Sequence, residues 1–126
     1  MPIVKQFLLR KNVMKIITVT ALLCNLTLRG EAVPPSAIEL SYDKEKQALH
    51  IIIKHVSDNT HKHYIRRIEV TRNAEPPFPY FFTSQTSASE QIADIPMKAA
   101  PHDTIHVLAI CSRAGRGEQV LVIPEE

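Results

Sequence analysis

The sequence predicts an all-β fold, a seven-stranded immunoglobulin-like β-sandwich placed behind an N-terminal signal peptide. Three observations point to it. No helical period of useful length runs past the first third of the chain. Beyond that point, short runs rich in Ile, Val, Thr, Phe and Tyr alternate with Pro, Gly, Asp and Asn clusters, which is the pattern of strands and turns. Seven such runs fit into about 90 residues, the spacing of an immunoglobulin-like sandwich.

The first third reads differently. Lys5, Arg10, Lys11 and Lys15 precede an apolar run over residues 16–28, and no acidic residue comes before Glu31. "RGEAVPP" follows, with Gly30 and Ala32 placed like the small residues before a signal-peptidase cut. The run has 13 residues, short of the ~20 that a membrane helix needs. Met14 is an alternative start, since "MKIITVTALLCNLTL" is a complete signal by itself. An uncleaved anchor is the competing reading. A lipoprotein signal fits less well, because Leu23 stands before Cys24 where a small residue is wanted.

The expected mature protein is therefore residues 33–126, one domain, periplasmic or secreted and with no membrane segment. Without residues 1–32 it keeps ten basic and twelve acidic residues, a net charge of −2. The basic character belongs to the leader, and nothing remains to suggest a nucleic-acid partner. Cys24 leaves with the leader. Cys111 then stands alone where disulfides normally form. It is a buried small apolar residue, a cross-linker between chains, or a reactive or metal-bound thiolate.

The strands follow in order. Residues 38–42 form the first, with Ile38, Leu40 and Tyr42 on one face and Glu39 and Ser41 on the other. "DKEKQ" turns the chain. Residues 48–54 place Leu49, Ile51 and Ile53 inward, and His55 continues that parity as the strand leaves the core. Residues 64–72 carry Ile68 and Val70 inward, with Ile65 out of phase, which predicts a bulge near Arg66 and Arg67. "NAEPPFP" reads as a loop because its prolines cannot pair. Strands over 80–85 and 90–95 come next. "PHD" then turns into 104–112, the strongest late strand and a central one, where Ile105, Val107, Ala109 and Cys111 share a face. "RAGRG" makes the last turn before a closing strand over 119–123.

The chemistry concentrates in "HVSDNTHKHYIRRI". His55, His61 and His63 fall within nine residues. His55 ends one strand, His63 begins the next, and Cys111 ends the sixth. In a Greek-key sandwich such ends gather at one pole, so the three can converge. Two imidazoles and a thiolate form a partial shell for iron, copper or zinc, and a metal would hold the thiol deprotonated. His61 and His63 lie on the same side of an extended chain, so either could be the second histidine. The competing reading is a solvated polar turn beside Asp58 and Lys62.

"KHVSDNTHKHYIRRIEV" resembles the iron-binding segment of the superoxide reductases, the desulfoferrodoxin and neelaredoxin family, whose members carry a "HYIxWIEL/V" strand. "AICSRAG" is similar to that family's final "C-N-x-H-G". "PPSAIEL", "FPYFFT" and "EQVLVIP" resemble its first, middle and last strands, so the likeness spans residues 34–124. The resemblance implies a seven-stranded immunoglobulin-like sandwich. It also implies one iron held by four histidine nitrogens and an axial cysteine, with one open position where superoxide is reduced to hydrogen peroxide. It would make His55 and His63 equatorial ligands and Cys111 the axial one.

The departures are specific. The family's first ligand lies in "E-K-H-x-P"; Glu31, Ala32 and Val33 stand there, and the family's companion lysine is missing too. Ala114 stands for the last histidine, Val56 for the proline after the first retained ligand, and Arg67 for the tryptophan. The loop between His55 and His63 is two residues longer than usual; a six-residue step would select His61. His102 and His106 are candidate substitutes, whereas His50 reads as surface. Arg66 and Arg67 are either a solvated face or an attractor for an anion. An electron donor would be required, and no rubredoxin-like four-cysteine segment supplies one. The competing function is a metal-free sandwich that binds a partner. G-x-S-x-G, glycine-rich phosphate loops and H-E-x-x-H are all missing.

Overall fold

The computed structural model describes residues 34–125. The expected leader lies outside the described residues. Those described form seven strands in chain order: β1 (Ala37–Asp43), β2 (Ala48–Lys54), β3 (Ile65–Arg72), β4 (Phe78–Phe81), β5 (Glu90–Pro96), β6 (Thr104–Cys111) and β7 (Arg116–Val122). One sheet has the order β1-β2-β5 and the other β4-β3-β6-β7, with every pairing antiparallel. The expected all-β, seven-stranded sandwich is what forms.

Alternation explains the layering. On β2, Leu49, Ile51 and Ile53 are buried while their neighbours are half-buried. On β6, Ile105, Val107, Ala109 and Cys111 are all fully buried. These two faces meet as the core, and β6 is central as expected, flanked by β3 and β7. The turn after β1 is an Asx type: Asp43 Oδ1 accepts from the amides of Glu45 and Lys46 at 3.0 and 3.1 Å. Tyr42 ties β1 to the segment after β5, donating to Met97 O at 2.8 Å and accepting from Ala99 N at 3.1 Å.

The bulge also forms. Ile65 is opposite Cys111, yet the next partner pair is Arg67 with Ile110, so two residues of β3 span one step of β6. That extra residue brings Ile65, Ile68 and Val70 all to the inner face.

Two strands differ from expectation. β4 starts at Phe78, inside the stretch read as loop, and stops at Phe81 rather than 85. It is an edge strand, bonded only to β3. Phe82 N donates to Arg66 O at 3.0 Å, so the even-numbered residues face β3 and Pro79 turns its missing donor to the open side. β7 begins at Arg116, because Arg116 and Gly117 pair with Ile110 and Ala109 despite their turn-like composition.

This frame fixes one pole. β2 runs toward it and hands over to His55; β3 leaves it two residues after His63; β6 ends on it at Cys111.

Candidate metal centre

His55, His63 and Cys111 meet at that pole, where their ligand atoms all lie within 4.8 Å of one another. They are 1%, 4% and 0% exposed. The two imidazoles stand edge to face, with centroids 4.7 Å apart and planes at 80°. His61 is exposed and outside the group; its amide bonds to Asn59 Oδ1 at 3.1 Å. Asn59 O accepts from both Lys62 N and His63 N, so this segment is a turn and the shared parity of His61 and His63 breaks down.

The backbone around His63 is held on two sides. Ser57, itself buried, donates its hydroxyl to His63 O. Ser112 Oγ accepts from Tyr64 N and donates to Lys62 O, both at 3.1 Å, and Ser112 N donates to Tyr64 O at 2.8 Å. The turn after β6 thereby clips the start of β3.

Each donor has a defined surrounding. His55 Nδ1 lies 2.8 Å from Gln85 Oε1. His63 Nδ1 lies 3.8 Å from Asp58 Oδ1. His63 Nε2 is buried with no hydrogen-bond partner, at a cost of about 1–3 kcal/mol for such a group. Cys111 Sγ accepts from Arg113 N at 3.4 Å. Burial holds the His63 pKa below its ordinary value; His55 and Arg113 add to the shift, and Asp58 opposes it. His63 therefore presents a neutral ring at pH 7, as a metal ligand must.

The donor set suits a metal. Tetrahedral bonds of ~2.0–2.3 Å put neighbouring donors about 3.5 Å apart, so donors within 4.8 Å of one another need to close by at most about 1.3 Å. Three protein ligands leave at least one position for an exogenous group, as catalytic rather than structural sites do. The described residues thus contain a buried cluster able to hold a metal ion.

The other candidates lie elsewhere. His50 pairs with Asp94, His102 with Glu125 and His106 with Glu118, and none belongs to the cluster. His102 is in a turn at φ 70°. Arg66 is exposed on the bulge, and Arg67 pairs with Glu69 at 2.8 Å. Ala114, where the resemblance places a histidine ligand, is an exposed turn residue at φ 66°. Gln85, Ser57 and Ser112 escaped the sequence reading, because an amide or hydroxyl in an irregular segment carries no periodic signal.

The lowered pKa has a pH consequence. In the unfolded chain His63 takes a proton near 6.5; in the fold it resists protonation, so acid favours the unfolded chain. The metal-free protein should hold its full stability above about pH 6.5 and lose part of it as pH falls toward the lower folded value. Urea unfolding between pH 7.5 and 5 measures this. The loss should shrink in His63→Gln; an identical pH slope in both proteins would count against it.

No protein-family model matches this chain, and no curated protein matches it.

Proposed function

We propose that the protein is an exported metalloprotein, periplasmic or secreted, that binds iron through His55, His63 and Cys111 and reacts with superoxide as a divergent superoxide reductase-like domain. One observation carries the metal reading: two imidazoles and a thiol converge in a closed core, and His63 Nε2 is there without a partner. An apolar interior rarely keeps such an atom unless something binds it. A thiolate ligand would tune the potential of a redox metal held here. The assignment to iron and superoxide rests on the sequence resemblance.

His55, His63 and Cys111 would hold the iron, whose chemistry would be the one-electron, two-proton reduction of superoxide to hydrogen peroxide, with the electron replaced by a separate donor. The chain's own contributions are the fixed imidazoles, the Arg113 N–H on the sulfur and the exclusion of water by burial. Copper or zinc would fit the same three donors, and affinity order favours copper over ferrous iron.

Exposed side chains favour a second reading. Phe78 and Phe81 on β4, and Val120 and Val122 on β7, are each at least half exposed on edge strands. They suit a metal-free module that docks a partner.

The test is to purify the protein without oxygen, load it with ferrous iron, measure the metal-to-protein ratio and then follow superoxide decay. One iron per chain with accelerated decay and peroxide release supports the proposal. Stoichiometric metal without superoxide chemistry reduces it to metal handling. No retained iron, copper or zinc removes the metal reading and leaves the partner-binding module.

A further inference from the structure

Gln85 is 6% exposed and lies in the loop between β4 and β5. Its amide nitrogen donates to His55 O at 2.7 Å and to Ser87 O at 2.9 Å. Two carbonyls on one side leave no choice of amide orientation, so Oε1 is the atom that faces His55 Nδ1. Oε1 can only accept, so Nδ1 must carry the hydrogen. In the neutral ring, Nε2 is then the basic nitrogen. The backbone of Gln85 is anchored as well, its N–H donating to Thr60 O at 3.0 Å in the 56–62 loop. One residue therefore fixes the ring of His55, its carbonyl and the loop that carries His63.

The two histidines are held unequally. Behind His63 stands Asp58, a side chain 77% exposed and 3.8 Å away, which is beyond hydrogen-bond length. Behind His55 stands a buried amide at hydrogen-bond distance.

We propose that Gln85 is the positioning residue of the metal site, setting the Nδ1–H tautomer of His55 so that this ligand binds through Nε2. The inference rests on the metal reading of His55, His63 and Cys111. Outer partners of ligating histidines fix ring orientation and tautomer, and losing one typically costs 10–100-fold in metal affinity. Because the acceptor is a neutral amide, it adds no negative charge to the shell; the thiolate is then the one anion among the three donors.

The test uses cobalt(II) as the probe, with affinity measured by chelator competition and by the thiolate-to-metal absorption. Gln85→Met should weaken binding by ~10–100-fold, whereas Asp58→Asn should change it less than about threefold. Gln85→Glu gives up the two amide donors but keeps an acceptor opposite Nδ1, and it should recover affinity relative to Gln85→Met. Nitrogen-15 NMR of the metal-free protein should report the Nδ1–H form of His55 in the wild type and a mixed population in Gln85→Met. If wild type takes up no cobalt, the metal reading itself fails. If wild type binds but both Gln85 variants match it, or the His55 tautomer is unchanged in Gln85→Met, the positioning role is wrong while the site stands. Equal losses in both variants, with a lowered melting temperature and one tautomer throughout, would make Gln85 a loop clamp only.

Discussion

Cys111→Ser should abolish the visible thiolate-to-iron band of the oxidised, iron-loaded protein. It should also weaken metal binding by more than the roughly 10–100-fold typical of losing an outer partner. Serine is close to isosteric, so the change tests the sulfur rather than the space. Its hydroxyl does not ionise near neutral pH, whereas a metal holds a coordinating thiol deprotonated. Arg113 N can still donate to the new oxygen, and the Cys111 N to Gly115 O bond of 2.7 Å is backbone only. The fold should therefore survive with a loss of about 1–3 kcal/mol for the buried hydroxyl. Optical titration with metal, beside circular dichroism, reads both quantities. A band of undiminished intensity in the variant would mean that Cys111 is not its source. Cys111 is the free cysteine among the described residues, so no described alternative could supply it.

Ile68→Ala should give a large loss of stability. Ile68 is fully buried in β3, between Tyr80 of β4 and Ala109 of β6. Cutting a buried isoleucine to alanine costs about 2–5 kcal/mol, against roughly 5–15 kcal/mol for a whole domain. At ~4–8 °C per kcal/mol for a domain of this size, the melting temperature should fall by at least about 8 °C. Phe81→Ala is the contrast. Phe81 is 70% exposed on an edge strand, and its loss should stay within about 0.5 kcal/mol. Thermal melts of the two variants side by side decide it; equal shifts would show that burial does not order these side chains as described.

Much of this molecule was legible in the sequence because strand parity is a strict code. Leu49, Ile51 and Ile53 announce their common face, and the same count carries His55 inward one step past the strand. Ile105, Val107, Ala109 and Cys111 do the same for the other sheet. Even the bulge was visible, as a phase error at Ile65. Parity fails where the chain stops being extended. It could not separate His61 from His63, because the Asn59 turn between β2 and β3 resets the count. It could not find Gln85, whose place depends on hydrogen bonds to residues 30 and 25 positions away, His55 and Thr60. Pro79 misled for a different reason. A proline argues against a central strand, and only the sheet order shows that β4 is at an edge.

The near-total burial of the three donors turns occupancy into a question of rates. With the three donors 0–4% exposed, a hydrated metal ion gains ready access to them when residues 56–62 or the turn after β6 move aside. Ser57 and Ser112 stitch those segments together through Lys62, His63 and Tyr64, so each such opening has to break these bonds. The best chance to capture a metal falls during folding, before the pole shuts. Once inside, an ion has a residence time set by the protein's own opening rate, and past a modest concentration a chelator gains nothing from being added in greater excess.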